Sequence, residues 1–270
     1  MMLEFADHQF ERVIDFVKSA GDSALDRWRS FDVVEIKDLG GDLATNVDHE
    51  IERAFHGLCR EVFPGCGFRG EELPDLSTGS SNGYTWNIDP IDGTKNFASE
   101  VPIWSVTVSL ERNGTPIFGV IYNPVSRQLY TATEGRGAFL NGRRLSYHAP
   151  ADPARMQLAI DFFMRQDDPA KKARQDELLA ELFHSFYRVR SIGSGSLSLA
   201  WLAQGHFGGY LSWGLTEDKF IDIAAGLVIA KEAGAVIGME SLDSGSSVLV
   251  VGSARTCDTL LALAHGRREL

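Results

Sequence analysis

Apolar residues recur at Phe10, Val13, Ile14, Val17, Ala20, Ala24 and Leu25, with polar residues between them. Recurrence at three and four positions lines one side of a helix, so a long amphipathic helix is predicted to open the chain. A second helix is predicted over 48–59, with Ile51, Phe55 and Leu58 on one face. Residues 37–45 between them read as a polar, glycine-bearing loop. From Tyr84 the period changes to two: Trp86 and Ile88, then Val106, Val108 and Leu110, then Phe118, Val120 and Tyr122. That alternation predicts strands. Arg112-Asn113-Gly114 predicts a hairpin turn, because asparagine and glycine tolerate positive φ. Residues 135–142 read as another turn-rich hairpin, and the polar stretch 152–168 predicts no element. Beyond it, helices are predicted over 176–186, 194–204, 221–233 and 256–265, and strands over 187–192, 207–211 and 248–251. Ser194 is a plausible N-cap and Gly234 a good helix stop. Strands come in hairpin blocks first and alternate with helices later. That order predicts an α/β (α+β layered) fold of stacked sheets and helices rather than a simple doubly wound domain.

With 270 residues the chain is long enough for a substantial core. It reads as one domain over 1–270, with an N-terminal α+β part (about 1–145) and a C-terminal α/β part (about 146–270). The formal net charge of −11 disfavours nonspecific nucleic-acid binding, since phosphates would be repelled. An acidic protein that handles phosphate must recruit local positive charge, and bound metal is the obvious source. No apolar run is long enough to span a bilayer, and the first ten residues lack a signal peptide's basic start and apolar centre. Cys59, Cys66 and Cys257 show no zinc spacing, and so sparse a set suits a reducing cytoplasm.

The chemistry concentrates in residues 86–97, Trp-Asn-Ile-Asp-Pro-Ile-Asp-Gly-Thr-Lys-Asn-Phe. Asp89 and Asp92 close an apolar, strand-like segment with Pro90 between them. Two carboxylates brought together away from water need a counter-cation, and hard oxygen ligands favour Mg2+. Upstream stands Gly70-Glu71-Glu72; downstream, Asp222 opens a small-residue helix. Each feature alone has a plainer reading: an Asp-Pro turn, a solvated acidic step, a charge on a helix dipole, a Thr45 cap. Their joint occurrence favours a metal site. The histidines show no paired ligand spacing, and Ser194 and Ser196 lack a recognisable nucleophile elbow with a His partner.

Taken in order, the segments around Glu71, Asp89–Thr94 and Asp222 resemble the inositol monophosphatase superfamily, from about Phe10 to Val251. The hairpin at 135–142 also matches a structural segment of that family. The resemblance implies a five-layer α-β-α-β-α sandwich and a Mg2+-dependent, lithium-sensitive phosphomonoesterase working through a metal-activated water. It implies that Glu71, Asp89 and the Ile91 carbonyl hold one ion, and that Asp89, Asp92 and Asp222 hold a second. Glu71 and Thr94 would orient the water, with Asp48 polarising the Thr94 hydroxyl. Thr45 and Asp48 match a Thr-x-x-Asp segment. Lys37, Asp42 and Thr45 belong to a loop tied to a possible third ion. Gly93 and Thr94 would face phosphate, and Gly193, Ser194 and Gly195 the organic moiety. Two departures stand out. Ile221 replaces the usual Trp before Asp222, and Ser212 stands where the family holds substrate hydroxyls with a Glu. Glu217 is a displaced candidate for that role, and Trp213 either stacks on substrate or fills core.

The expected substrate is therefore a small phosphorylated polyol, sugar or amino alcohol, most simply inositol 1-phosphate. Histidinol phosphate, fructose 1,6-bisphosphate and 3′-phosphoadenosine 5′-phosphate are alternatives within the superfamily. A non-enzymatic, partner-binding role is the alternative of another class. A homodimer is also expected by resemblance.

Overall fold

The structure, a computed structural model, describes residues 5–36, 43–162, 169–243 and 245–266. The opening helix forms as its pattern predicts: α1 (Asp7–Asp26) buries Phe10, Val13, Val17, Ala20 and Ala24. A two-stranded ribbon, β1 (Val33–Ile36) and β2 (Leu43–Thr45), leads into α2 (Asn46–Val62). Thr45 caps α2: its hydroxyl accepts from the amides of Val47 and Asp48, and Asp48 reciprocates at the Thr45 amide.

The first large sheet has seven strands in sequence order. They are β3 (Gly67–Gly70), β4 (Tyr84–Asp92), β5 (Ser105–Arg112), β6 (Thr115–Asn123), β7 (Gln128–Thr133), β8 (Gly137–Leu140) and β9 (Arg143–Arg144). All neighbours are antiparallel except β3 and β4. The short helix α3 (Thr94–Ala98) follows β4. The second sheet contains β10 (Gln157–Phe162), β11 (Arg188–Arg190), β12 (Gly209–Leu215), β13 (Val236–Asp243) and β14 (Ser246–Gly252), ordered 11-10-12-14-13. Its helices are α4 (Pro169–Ser185), α5 (Gly195–Ala203), α6 (Ile221–Glu232) and α7 (Ala254–Ala264).

Three apolar clusters define the layers. α1 and α2 pack on one face of the seven-stranded sheet through Phe10, Phe55, Trp86 and Phe118. α5 and α6 fill the space between the sheets. α4 and α7 cover the outer face of the second sheet, where Leu178, Leu182 and Leu260 are buried. The five-layer α-β-α-β-α expectation therefore holds. Helix α6 is apolar all round, burying every residue from Ile223 to Ala230, as a helix between two sheets must. Its backbone approaches β6 so closely that a Cβ on Gly119 would lie 2.6 Å from the Ala225 carbonyl oxygen.

Several boundaries move. The strand expected over 187–192 shrinks to Arg188–Arg190, and that over 207–211 shifts to Gly209–Leu215. β10 arises inside the stretch that predicts no element, and β13 adds an unforeseen edge strand. Among the described residues, no helix is long and apolar enough to cross a membrane.

Candidate active site and metal centre

In a regular strand, residues three apart point to opposite faces. Asp89 and Asp92 escape that rule because the ladder is irregular between them. Asp89 pairs with Thr107 and Asp92 with Ser105, so one extra residue is accommodated on β4. Pro90 falls inside this bulge, where a missing N–H costs no ladder bond. Both carboxylates then face one cleft at the end of β4. Gly93 follows at φ 90°, and a Cβ there would meet the Ile103 carbonyl at 2.9 Å. Only glycine makes this turn without strain. Thr94 begins α3, and its hydroxyl donates to the Ile91 carbonyl at 2.9 Å.

The other acids arrive from a neighbouring strand and from the helix layer between the sheets. Glu71 follows β3, its amide donating to the Ile88 carbonyl at 3.2 Å. Asp222 lies in the first turn of α6. Glu71, Asp89 and Asp222 each present one carboxylate oxygen within 4.8 Å of the others. Asp92 is turned toward α5: its Oδ2 accepts from the Ser194 hydroxyl at 2.5 Å, the Ser196 amide at 3.0 Å, and the Ser196 hydroxyl.

Electrostatics show what the cluster lacks. Burial, then the charges of Glu71, Asp222 and Asp92, push Asp89 well above the usual carboxylate range. Burial raises Asp92 to about 6, despite the lowering effect of its serine donors. The Asp89 Oδ1 atom is buried and has no hydrogen-bond partner among the described residues. An unpartnered carboxylate oxygen facing further acids is a cation position, and an all-oxygen donor set fits Mg2+.

The cleft measures about 390 Å3 and lies where the ends of β4 and β10 meet the starts of α3, α5 and α6. Ten residues expected at the site come together around it: Glu71, Asp89, Ile91, Asp92, Gly93, Thr94, Gly193, Ser194, Gly195 and Asp222. Thr45 and Asp48 are buried in the α2 cap and are not among the residues that line the cleft. Lys37 and Asp42 lie outside the described residues.

Two expectations need correction. Ser212 is fully buried in the middle of β12, between Asp161 of β10 and Leu249 of β14, and does not line the cleft. Glu217 is exposed on the turn after β12, beside a separate hollow shared with Arg69, Glu111 and Met239. The physical reason is the same for both: β12 runs on to Leu215, which keeps Ser212 inside the sheet and carries Glu217 past the cleft. Trp213 fills the outer core.

Three residues at or behind the site had no part in the sequence reading. Asp161 ends β10 and lines the cleft, accepting from the Tyr210 hydroxyl at 2.8 Å. Its signal is present in Leu-Ala-Ile-Asp, an acid closing an apolar run, as Asp89 does. Lys219 reaches the acid cluster, 3.2 Å from Glu71 Oε1 and 3.7 Å from Asp222 Oδ2. Its signal is the i,i+3 spacing to Asp222. Glu52 is buried on α2 and accepts from the amides of Glu72 and Leu73 at 2.8 and 2.9 Å, anchoring the Glu71 turn.

Residues 8–264 match the family model described as the inositol monophosphatase family. The chain belongs to the inositol monophosphatase family. It is 35% identical over 217 residues to an inositol-1-monophosphatase of Mesorhizobium japonicum, covering 77% of this chain and 78% of that protein. The inositol monophosphatase of Thermotoga maritima superimposes with a TM-score of 0.81 at 25% identity, covering 96% of this chain and 98% of the other. A solved inositol monophosphatase/NADP phosphatase, complexed with Mg2+ and phosphate, shares the fold with a TM-score of 0.76 at 21% identity over 95% of each chain. As a member of the inositol monophosphatase family, the chain is a hydrolase of phosphate monoesters.

Proposed function

We propose that the chain hydrolyses inositol 1-phosphate in a Mg2+-dependent reaction at this cleft. The convergence of Glu71, Asp89 and Asp222 oxygens within 4.8 Å, with Asp92 at the same strand end, carries the reading. Glu71, Asp89, Asp92, Asp222 and the Ile91 carbonyl would hold two ions. When bound, these ions supply positive charge to the phosphate and acidify a water. The chain's own groups do the rest. Asp92 is held in one rotamer by Ser194 and Ser196, so its free edge keeps its direction. The Thr94 hydroxyl, already hydrogen-bonded to Ile91, and the Glu71 carboxylate both line the cleft and would orient the attacking water. Gly93 brings backbone close to the phosphate position without a side chain in the way. Lithium sensitivity, a homodimer and a cytoplasmic location belong to the same reading and rest on family membership.

Two experiments test it. Asp92→Asn keeps an oxygen acceptor for the Ser196 amide but removes a ligand charge. The variant should fold like the parent and fall below about one-hundredth of its kcat, since even supporting residues of metal sites are worth 10- to 100-fold. Full activity in this variant would refute the assignment of Asp92. For the substrate, kcat/KM ratios should be compared for inositol 1-phosphate, histidinol phosphate, fructose 1,6-bisphosphate and 3′-phosphoadenosine 5′-phosphate with Mg2+. Inositol 1-phosphate should lead. Another compound leading by a hundredfold or more would replace it.

A further inference from the structure

One acid of the cleft has no part in the metal cluster. Asp161 sits at the end of β10, on the wall formed with Gly193, Ser194 and Gly195. Tyr210, on the neighbouring strand, donates to its Oδ2, which fixes the carboxylate's orientation. Among the described residues, the other charge acting on it is that of Asp92, which is unfavourable. A sunken carboxylate without a cation is costly to keep. Burial accordingly pushes Asp161 up to about 7.

A helix-capping role does not account for this cost. The start of α5 already has its acceptors: the Ser194 hydroxyl takes the Leu197 amide, and Asp92 takes the Ser196 amide. The surroundings instead keep the carboxylate open. Position 195 is glycine, and a Cβ there would stand 3.3 Å from Asp161 Oδ2 and 2.8 Å from Ile223. Asp161 is also the in-register partner of Ser212 on β12. Side chains paired across adjacent strands share a face. The acid sought at Ser212 is thus present one strand over, and there it does reach the cleft.

We propose that Asp161 is a specificity-determining residue that binds hydroxyl donors on the alcohol half of the substrate, selecting polyol phosphates over phosphates of apolar alcohols. This inference rests on the phosphomonoesterase reading of the same cleft. The phosphate is held at the acid cluster of β4 and α6, and the alcohol extends along the α5 wall toward β10. Its hydroxyls meet an acceptor whose orientation Tyr210 has already fixed.

The test uses the full chain with Mg2+ and two substrates, inositol 1-phosphate and phenyl phosphate, whose alcohol carries no further donors. Asp161→Ala should lower kcat/KM for inositol 1-phosphate about 10- to 100-fold, chiefly through KM, the range of a hydrogen bond to a charged group. Phenyl phosphate turnover should stay within about twofold. Free myo-inositol should inhibit phenyl phosphate hydrolysis by the parent and lose that effect in Asp161→Ala. Asp161→Asn, which keeps an acceptor oxygen and the side-chain volume, should fall between the two. Equal losses on both substrates, or none on either, would overturn the proposal. Histidinol phosphate provides a third arm. If it replaces inositol 1-phosphate as the preferred substrate and alone loses rate in Asp161→Ala, the donor is an ammonium. The substrate assignment then fails, and so does the polyol selectivity proposed for Asp161. If the parent hydrolyses none of the three, the phosphomonoesterase reading fails first.

Discussion

Lys219 puts an ammonium group where the acids of three layers converge, which gives the site an internal cation. Its contacts are with Glu71 and Asp222, carboxylates that a divalent ion would also use. The two cations therefore compete. Lys219→Met should bind Mg2+ several-fold more tightly by calorimetry, since a part-exposed ion pair is worth about 0.2–1 kcal/mol. The same variant should melt lower than the parent in chelator, where its acids have lost their counter-charge. Weaker Mg2+ binding by Lys219→Met would show that the lysine assists the ion rather than competing with it. Asp161 carries a second prediction, in pH. Its folded pKa of about 7 lies above the ordinary value of 3.8, so the native state keeps a proton that the unfolded chain has lost. Stability from this group is intact below about pH 4 and drains away as pH rises to about 7. Asp161→Asn escapes that loss. Its melting temperature in chelator should gain on the parent between pH 5 and pH 8; a gain that shrinks over this range would contradict the assignment.

Helix α2 shows how an element with no residue in the cleft still shapes it. Glu52 lies one turn after Asp48 on the buried face, and its carboxylate holds the backbone of the turn that presents Glu71. Gly70 makes the room: a Cβ there would sit 1.9 Å from Glu52 Oε1. Glu52→Ala leaves one buried and one part-buried amide without their acceptor, at about 1–3 kcal/mol for the buried one. Its urea midpoint should drop accordingly and its Mg2+ affinity with it, whereas an unchanged midpoint would mean that water replaces the carboxylate. Sequence reading reached α1, α2, α5 and α6 because each carries a one-sided apolar stripe, a cap or a small-residue run. It missed β10 and β13 for a physical reason. β10 follows a polar stretch and pairs with β12, about fifty residues later, and β13 is an edge strand with exposed Val236 and Met239. The same division runs through the site. Asp89, Asp92, Gly93 and Thr94 were legible because they adjoin in one run. Glu52, Asp161 and Lys219 also bond to partners 20, 49 and 148 residues away, which the short local signals at Asp161 and Lys219 do not identify.

At the scale of the molecule, the cleft is a junction of layers. Glu71, Asp89 and Asp92 belong to the first sheet, Asp222 to the helix between the sheets, and Asp161 to the second sheet. Asn96 ties α3 to the α5 approach by donating to the Ile103 and Ile192 carbonyls at 2.7 and 2.8 Å. The geometry of the acid cluster therefore depends on how closely α6 lies against the first sheet, and Gly119 sets that distance. A methyl group there would meet Ala225 at its oxygen (2.6 Å), Cα (2.9 Å) and carbonyl carbon (3.1 Å), all backbone atoms that cannot rotate aside. Gly119→Ala must push α6 outward, which costs about 1–3 kcal/mol as overpacking. Because α6 carries Asp222 while Glu71 and Asp89 stay with the sheet, the same displacement widens the cation position. The variant should lose Mg2+ affinity together with stability, although residue 119 touches no ligand. Gly57→Ala is the matched control. Gly57 lies on the exposed side of α2 with no atom within 4 Å of a Cβ, so alanine there should add about 0.5–1 kcal/mol and leave Mg2+ binding unchanged. Calorimetric titration with Mg2+ and urea unfolding of both variants separate the two effects. If Gly119→Ala unfolds earlier but binds Mg2+ as the parent does, α6 yields without moving Asp222, and the cluster does not depend on the spacing between the layers.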